Sequence, residues 1–193
     1  MKVSGVYPVL PTPFDASGAI DDSGMDAIVD FVVDCGVDGA VFPGLASEYD
    51  MLSLDERIGL IGRIAARIDG RIGFIIGASS PDVDESLALI RAGKEAGAAG
   101  AMVMTPGALA GDNDALAAHY RKLGEAGLPL MLQNAPRPMG AGLSAEDVIA
   151  VVGAVPAIHW VKEENMPCGQ RISAIRAAAP DHLLGAVSYT HLT

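Results

Sequence analysis

A regular alternation of short apolar segments with helical patterns limits the fold more than any other feature of the chain. The apolar segments predict seven β-strands, at residues 6–10, 39–42, 72–76, 101–104, 129–133, 158–162 and 183–187. Five successive strand ends are 33, 28, 28 and 29 positions apart, at Gly44, Gly77, Thr105, Gln133 and Lys162. Because each interval has room for one helix, the alternation predicts a parallel sheet.

The segments between these strands carry signals for helix starts and ends. Capping boxes predict helices that begin after Ser53 and after Ser144, and Pro81 stands where proline occupies a first helical position. Helix ends are expected at four glycines, namely Gly36, Gly70, Gly97 and Gly127. The repeating unit is therefore a strand followed by a helix.

Two architectures share this repeat, the doubly wound sheet and the eightfold barrel. Nucleotide-binding members of the first class usually have a glycine-rich first turn, whereas the first turn here reads PTPFDASG. An eightfold barrel takes about 250 residues, so its eighth strand is expected beyond Thr193. We predict an α/β fold, an incomplete (β/α)8 TIM barrel with six to seven βα units in residues 1–186. Residues 187–193 are expected to be a non-native or truncated tail.

Composition narrows the classes of function. The net charge of −11, without a basic run, argues against nucleic acid or an anionic membrane as a partner. No apolar stretch reaches the roughly 18 residues of a membrane span. The N-terminus carries no secretion signal, so a cytoplasmic location is expected. Cys35 and Cys168 have no partners at metal-ligand spacing, and we predict no metal site.

Lys162 is the leading candidate for chemistry, because active sites of such barrels lie at the carboxyl ends of the strands. Strand alternation puts Lys162 on the same face as Ile158 and Trp160, which predicts an inward side chain. Loss of solvation favours the free amine, the form that attacks a ketone to make an imine. The alternative is a strand-end lysine that reaches solvent or pairs with Glu163 or Glu164.

Five segments resemble one family in order and spacing, namely GVYPVLPTPFDASGAID, GLASEYDMLSLDER, GAAGAMVMTP, QNAP and WVKE. The family is that of dihydrodipicolinate synthase and N-acetylneuraminate lyase, in which QNAP stands in the place of a Tyr-Asn-x-Pro segment. The resemblance implies an eightfold barrel with a C-terminal helical part, usually assembled as a tetramer. It implies that Lys162 forms a Schiff base with pyruvate or another 2-keto acid, without a metal or an organic cofactor.

The second-strand loop departs from the family pattern. Members carry hydroxyl residues that bind the substrate carboxylate after the glycine, whereas Leu45 and Ala46 follow Gly44 here. Ser47, in the usual glycine position, supplies one hydroxyl nearby, and a structural role for it is the alternative. The resemblance implies substrate binding at Gly44, Ala46 and Ser47, with help from backbone N–H groups. It adds Arg137, near an arginine that some members place at the site entrance, although a solvated loop charge is equally compatible.

Gln133 occupies the place of the family's strand-five tyrosine, which is credited with proton transfer. Glutamine cannot ionise, but it can orient a keto acid by hydrogen bonds, so Gln133 stays a catalytic candidate. Proton transfer must then fall to Glu48, a water, the substrate carboxylate or the imine nitrogen. A second expected tyrosine is also missing, since Gly107 and Ala108 follow the fourth-strand Thr-Pro.

Our main hypothesis is a Schiff-base lyase that acts on pyruvate or a 2-keto-3-deoxy sugar acid, by aldol cleavage or condensation or by dehydration. Three alternatives stay open: dihydrodipicolinate synthase itself, a metal-dependent barrel lyase or isomerase, and an inactive family member that binds a keto acid. We interpret two histidines as packing or surface residues, His119 and His159. Four acidic residues are interpreted as helix caps or surface charges, namely Asp21, Asp22, Glu163 and Glu164.

Overall fold

The computed structural model describes residues 3–188 of the chain. It divides into two compact units, Met1–Ala101 and Met102–Thr193. Strands and helices alternate along the chain in both units, as the sequence predicts. Within residues 3–188, no helix is long and apolar enough to cross a membrane.

The first unit alternates helices and strands in the order α1 (Asp22–Asp34), β1 (Gly39–Phe42), α2 (Leu54–Ile68), β2 (Gly73–Gly77) and α3 (Val83–Glu95). Strands β1 and β2 pair in parallel, with Gly39 opposite Gly73 and Phe42 opposite Ile76. Every residue of both strands is buried, as in sheets that helices cover. Apolar side chains of the helices pack in this core, among them Met25, Val29, Leu60, Ile61 and Ile64.

Strand β3 (Gly100–Met104) crosses the boundary between the units. The second unit then continues with α4 (Asn113–Gly124), β4 (Leu130–Asn134), α5 (Ala145–Ala154), β5 (Ile158–Glu163), α6 (Cys168–Ala177) and β6 (Gly185–Val187). Strand β5 pairs in parallel with β4 on one side and β6 on the other. The end of β5 is therefore held between two neighbouring strands.

The predicted strand at residues 6–10 is wrong as a regular strand, because only Val9 forms a bridge, to Val41 of β1. The segment nevertheless lies along β1: the N–H of Val41 donates to Pro8 O at 2.9 Å, and the N–H of Leu10 donates to Val41 O at 3.0 Å. Pro8 has no N–H to donate to β1, so the ladder cannot extend toward the N-terminus of the segment. The other six predicted strands are confirmed, with bounds shifted by at most two residues.

The predicted helix caps are confirmed with one exception. Ser53 forms a capping box with Glu56, and Ser144 caps α5 by accepting from the N–H of Asp147 at 3.0 Å. The start predicted at Pro81 is wrong, because Asp82 caps α3 and the helix begins at Val83. All four glycines predicted at helix ends have positive φ, between 71° and 82°, namely Gly36, Gly70, Gly97 and Gly127.

The tail predicted at residues 187–193 lies mostly outside the described residues, which end at Ser188. Val187 belongs to β6 and pairs with Lys162 of β5. The boundary predicted after Ala186 therefore falls inside this strand, and the nature of the following residues stays a prediction.

Candidate active site

Lys162 lies near the carboxyl end of β5, in the middle of three parallel strands. Its register partners are Gln133 on β4 and Val187 on β6. The side chain is 16% exposed, so it neither stands free in solvent nor lies fully buried. Below it on the same strand, Ile158 and Trp160 are buried, in line with the predicted inward face.

Glu164 joins the two predicted catalytic side chains of the second unit. Its Oε1 lies 2.8 Å from Nζ of Lys162, and its Oε2 accepts a hydrogen bond from Nε2 of Gln133 at 2.8 Å. The side chain is only 7% exposed. The carboxylate therefore uses each oxygen for a different partner, one charged and one neutral.

The interpretation of Glu164 as a cap or surface charge is thus wrong, and the backbone shows why. The N–H of Glu164 donates to Asn134 O at 3.2 Å, which extends the pairing of β4 and β5 beyond the assigned strand. Since side chains alternate along a strand, Glu164 falls on the same face as Lys162. Pairing of Lys162 with Glu164 was the predicted alternative to an unpaired inward lysine, and the structure shows this pair.

Glu163 is likewise buried and was wrongly interpreted as a surface charge. Its oxygens accept from Asn134 Nδ2 at 2.9 Å and from the backbone N–H of Asn165 at 2.8 Å. Arg171 of α6 lies 3.2 Å from the same carboxylate. Glu163 therefore connects β5 to β4 and to α6 on the side of the strand that faces away from Lys162, which is a structural position.

Arg137 follows β4 and is exposed. Its Nε donates to Ala141 O at 3.0 Å, which fixes the base of the guanidinium group within its own loop. No acidic side chain of residues 3–188 forms an ion pair with it. The two terminal nitrogens thus keep donors that can meet an anion bidentately.

The predicted substrate loop lies in the first unit, where Leu45, Ala46 and Ser47 form a short 3-10 helix after Gly44. The hydroxyl of Ser47 donates to Leu10 O at 2.5 Å and accepts from the N–H of Gly44 at 2.9 Å, and the residue is fully buried. Its one hydroxyl proton is therefore already used inside the unit. The first N–H groups of such a helix, on Leu45 and Ala46, have no acceptor within the helix.

The remaining candidates of the sequence analysis have structural surroundings. Asp21 caps α1 through a hydrogen bond from the N–H of Gly24, as predicted. His119 is half-buried with its ring nearly perpendicular to that of Tyr120, and burial lowers its pKa. Burial also lowers the pKa of His159, with a smaller effect from His182. No cluster of three or more potential metal ligands occurs in the described part of the chain.

Alternating parallel strands and helices, with a lysine paired to a carboxylate at the end of a strand, define an α/β protein with a parallel sheet. The chain belongs to the dihydrodipicolinate synthetase family, whose model matches residues 2–185. It is 30% identical over 163 residues to a 4-hydroxy-tetrahydrodipicolinate synthase of Methanoculleus marisnigri, which covers 83% of this chain and 56% of the relative. It is 28% identical over 194 residues to the synthase of Methanothermobacter thermautotrophicus, covering 100% and 67%.

Solved structures give the same fold. The dihydrodipicolinate synthase of Aquifex aeolicus superimposes with a TM-score of 0.85 at 25% identity, over 96% of this chain and 63% of that one. A monomeric dihydrodipicolinate synthase variant superimposes with a TM-score of 0.83 at 25% identity, over 95% and 62%. The predicted α/β class and the incomplete (β/α)8 TIM barrel are thereby confirmed. The chain spans about three fifths of the length of these two structures.

Proposed function

We propose that the protein is a Schiff-base-forming lyase that acts on pyruvate or a 2-keto-3-deoxy sugar acid. The observation that carries this proposal is the position of Lys162, with its nitrogen at the end of β5 and 2.8 Å from a buried carboxylate. A primary amine that can lose its proton inside a protein attacks a ketone to form an imine. The family of the chain agrees with this chemistry.

The protonated imine is an electron sink for the keto acid. It stabilises negative charge at C3, and this makes cleavage or formation of a carbon–carbon bond accessible. Loss of a hydroxyl from C4 becomes accessible in the same way, which gives a dehydratase. Because the imine itself supplies the positive charge, the proposed reaction needs neither a metal nor an organic cofactor.

Substrate contacts are proposed for each unit by itself. In the first unit, the hydroxyl of Ser47 is tied to Leu10 O, so we assign carboxylate binding to the loop backbone from Gly44 to Ala46. In the second unit, the free end of Arg137 is the group proposed to meet an anionic substrate. Gln133 keeps a part in the reaction, through its hydrogen bond to Glu164.

Two alternatives have specific observations in their favour. Several relatives are named 4-hydroxy-tetrahydrodipicolinate synthase, which favours that activity. Gln133 in the place of the family tyrosine argues against it, and favours either a sugar acid lyase or an inactive protein that binds a keto acid. Two turnover assays separate these three functions. One measures pyruvate-dependent synthesis of 4-hydroxy-tetrahydrodipicolinate, and the other measures turnover of 2-keto-3-deoxy acids.

Reductive trapping tests the proposal. The protein encoded by the complete gene is incubated with pyruvate and sodium borohydride, and its intact mass is measured. We expect one pyruvyl adduct on the wild type, none on Lys162→Ala, and an unchanged adduct on Lys122→Ala, in which an exposed lysine is removed. Absence of an adduct on the wild type, with pyruvate and with 2-keto-3-deoxy acids, would falsify the proposal.

Assembly and location remain proposals as well. The family resemblance favours a homotetramer, and a cytoplasmic location is proposed with it. Light scattering coupled to size-exclusion chromatography measures the first directly. A monomer at micromolar concentration would contradict it.

A further inference from the structure

The Lys162–Glu164 pair poses a chemical question that the proposed function leaves open. A lysine held as an ammonium ion cannot attack a carbonyl, and an imine cannot form until a carbinolamine oxygen has been protonated and has left as water. In the family that the chain resembles, a tyrosine is credited with proton transfer. Gln133 occupies that place in this chain. Some other group must therefore move these protons.

We propose that Glu164 is a catalytic residue that carries protons during imine formation at Lys162, and this inference rests on the proposed function. Among residues 3–188, Glu164 is the ionisable side chain that forms an ion pair with the nucleophile, at 2.8 Å between Oε1 and Nζ. That distance permits direct proton transfer without an intervening water. At 7% exposure, the carboxylate is also largely shielded from competing solvent.

The proposed steps balance in protons and electrons. Oε1 of Glu164 takes one proton from the ammonium group of Lys162, which leaves a neutral amine with a free electron pair. That pair forms the N–C bond to C2 of the keto acid, and a proton moves from nitrogen to the former carbonyl oxygen. Glu164 then returns its proton to this oxygen, the C–O bond breaks, and water leaves. The products are a protonated imine and the original carboxylate.

Gln133 acts in this scheme as a positioning residue. Its Nε2 donates to Oε2 of Glu164 at 2.8 Å, so the other oxygen is turned toward Lys162. The side-chain amide of Gln133 is buried. The backbone oxygen of Gln133 accepts from the N–H of Thr105 at 3.0 Å, which holds β4 at this residue. The glutamine in the place of the family tyrosine therefore orients the carboxylate that lies two residues after the lysine.

The competing explanation is that Glu164 only neutralises Lys162, and it predicts the opposite change in the rate of imine formation. If Glu164 only neutralises Lys162, removal of its charge frees more of the amine and imine formation becomes faster. If Glu164 carries the proton, imine formation becomes slower by about 100-fold or more, the usual contribution of a general acid or base. Glu164→Gln therefore separates the two explanations, because it keeps the size of the side chain and removes the ionisable group.

The experiment measures the rate of imine formation. The protein encoded by the complete gene is mixed with pyruvate, trapped with borohydride at increasing times, and analysed by intact mass. We expect Glu164→Gln to reach the same final adduct as the wild type at a rate lower by about 100-fold. The control is Glu125→Gln, which breaks an exposed Lys122–Glu125 pair at 2.8 Å and should leave the rate within about twofold.

Each outcome has one meaning. An unchanged or faster rate in Glu164→Gln overturns the role of Glu164 and leaves the Schiff-base function standing. Absence of an adduct in the wild type overturns the function, and this inference with it. If circular dichroism shows that Glu164→Gln is unfolded, Glu164→Met decides, because it also removes the ionisable group: a slower rate with full final adduct supports the role, and an unchanged or faster rate overturns it.

Discussion

Nζ of Lys162 and Oε1 of Glu164 lie 2.8 Å apart in a part of the second unit where both side chains have lost most of their contact with solvent. In such surroundings each of the two opposite charges compensates the other. Each one alone would be a largely buried ion without compensation, which is strongly unfavourable. The same proximity that supports proton transfer therefore makes the pair a structural element.

Replacement of Lys162 should destabilise the protein for this reason. Lys162→Met leaves the Glu164 carboxylate with Gln133 as its remaining partner, and we expect the free energy of unfolding to fall by about 3 kcal/mol. In Lys162→Met/Glu164→Gln the loss should be smaller than the sum of the single losses, by about 2 kcal/mol. Urea denaturation of the four proteins measures this coupling. Additive losses would show that the two groups do not interact.

Glu163 supports the structure on the opposite side of β5. Glu163→Ala removes the acceptor of Asn134 and Asn165 and the counter-ion of Arg171, so we expect a loss of about 3 kcal/mol in the free energy of unfolding. Glu125→Ala removes an exposed carboxylate and should cost less than about 0.5 kcal/mol. Equal losses in urea denaturation would contradict a structural role for Glu163.

Gly77 at the end of β2 has no room for a side chain. A Cβ atom at this position would overlap the carbonyl oxygen of Pro43, whereas a Cβ on Gly62 in α2 has open space. Gly77→Ala should therefore lower the free energy of unfolding by about 2 kcal/mol. Gly62→Ala should raise it by about 0.5–1 kcal/mol, because alanine favours the helix. The two variants should therefore change the free energy of unfolding in opposite directions, and urea and thermal denaturation both measure this change.

Burial of His119 makes stability depend on pH. Because its pKa is lower in the folded than in the unfolded protein, the unfolded chain binds more protons as the pH falls. The contribution of His119 is thus fully present above the unfolded value of about 6.5 and is lost as the pH falls through the folded value. Urea denaturation across this pH range should show that the free energy of unfolding falls less in His119→Gln than in the wild type. Lys122→Gln, which changes an exposed residue, should show the same fall as the wild type.

The repeat of strands and helices was visible in the sequence because each element has its own local signal. Ser53 and Ser144 cap helices as predicted, and the four glycines end them, since these roles depend on neighbouring residues only. The first strand was overestimated, because its apolar pattern does not show that Pro8 limits the ladder. Apolar alternation reports burial, whereas strand assignment requires hydrogen bonds.

The candidate site was only partly visible in the sequence. Lys162 and Gln133 were found from their strand positions and from the family resemblance, and their register pairing was not predicted. A Lys162–Glu164 pair was predicted only as an alternative, and the burial of Glu164 was missed because a run of two glutamates after a lysine suggests solvent-exposed charge. The signal that could have found it is the alternation itself, continued two residues beyond Lys162. Burial of Glu163 could not be predicted, since it depends on Asn134 and Arg171, which are distant in sequence.

Peptide mapping after reductive trapping tests the central claim most directly. The protein is incubated with pyruvate and borohydride, digested, and sequenced by tandem mass spectrometry, so that every lysine in the chain is inspected. The account predicts a reduced pyruvyl group on Lys162 and unmodified Lys94 and Lys122 under the same conditions. A modification spread over the exposed lysines, or none on Lys162, would contradict the account.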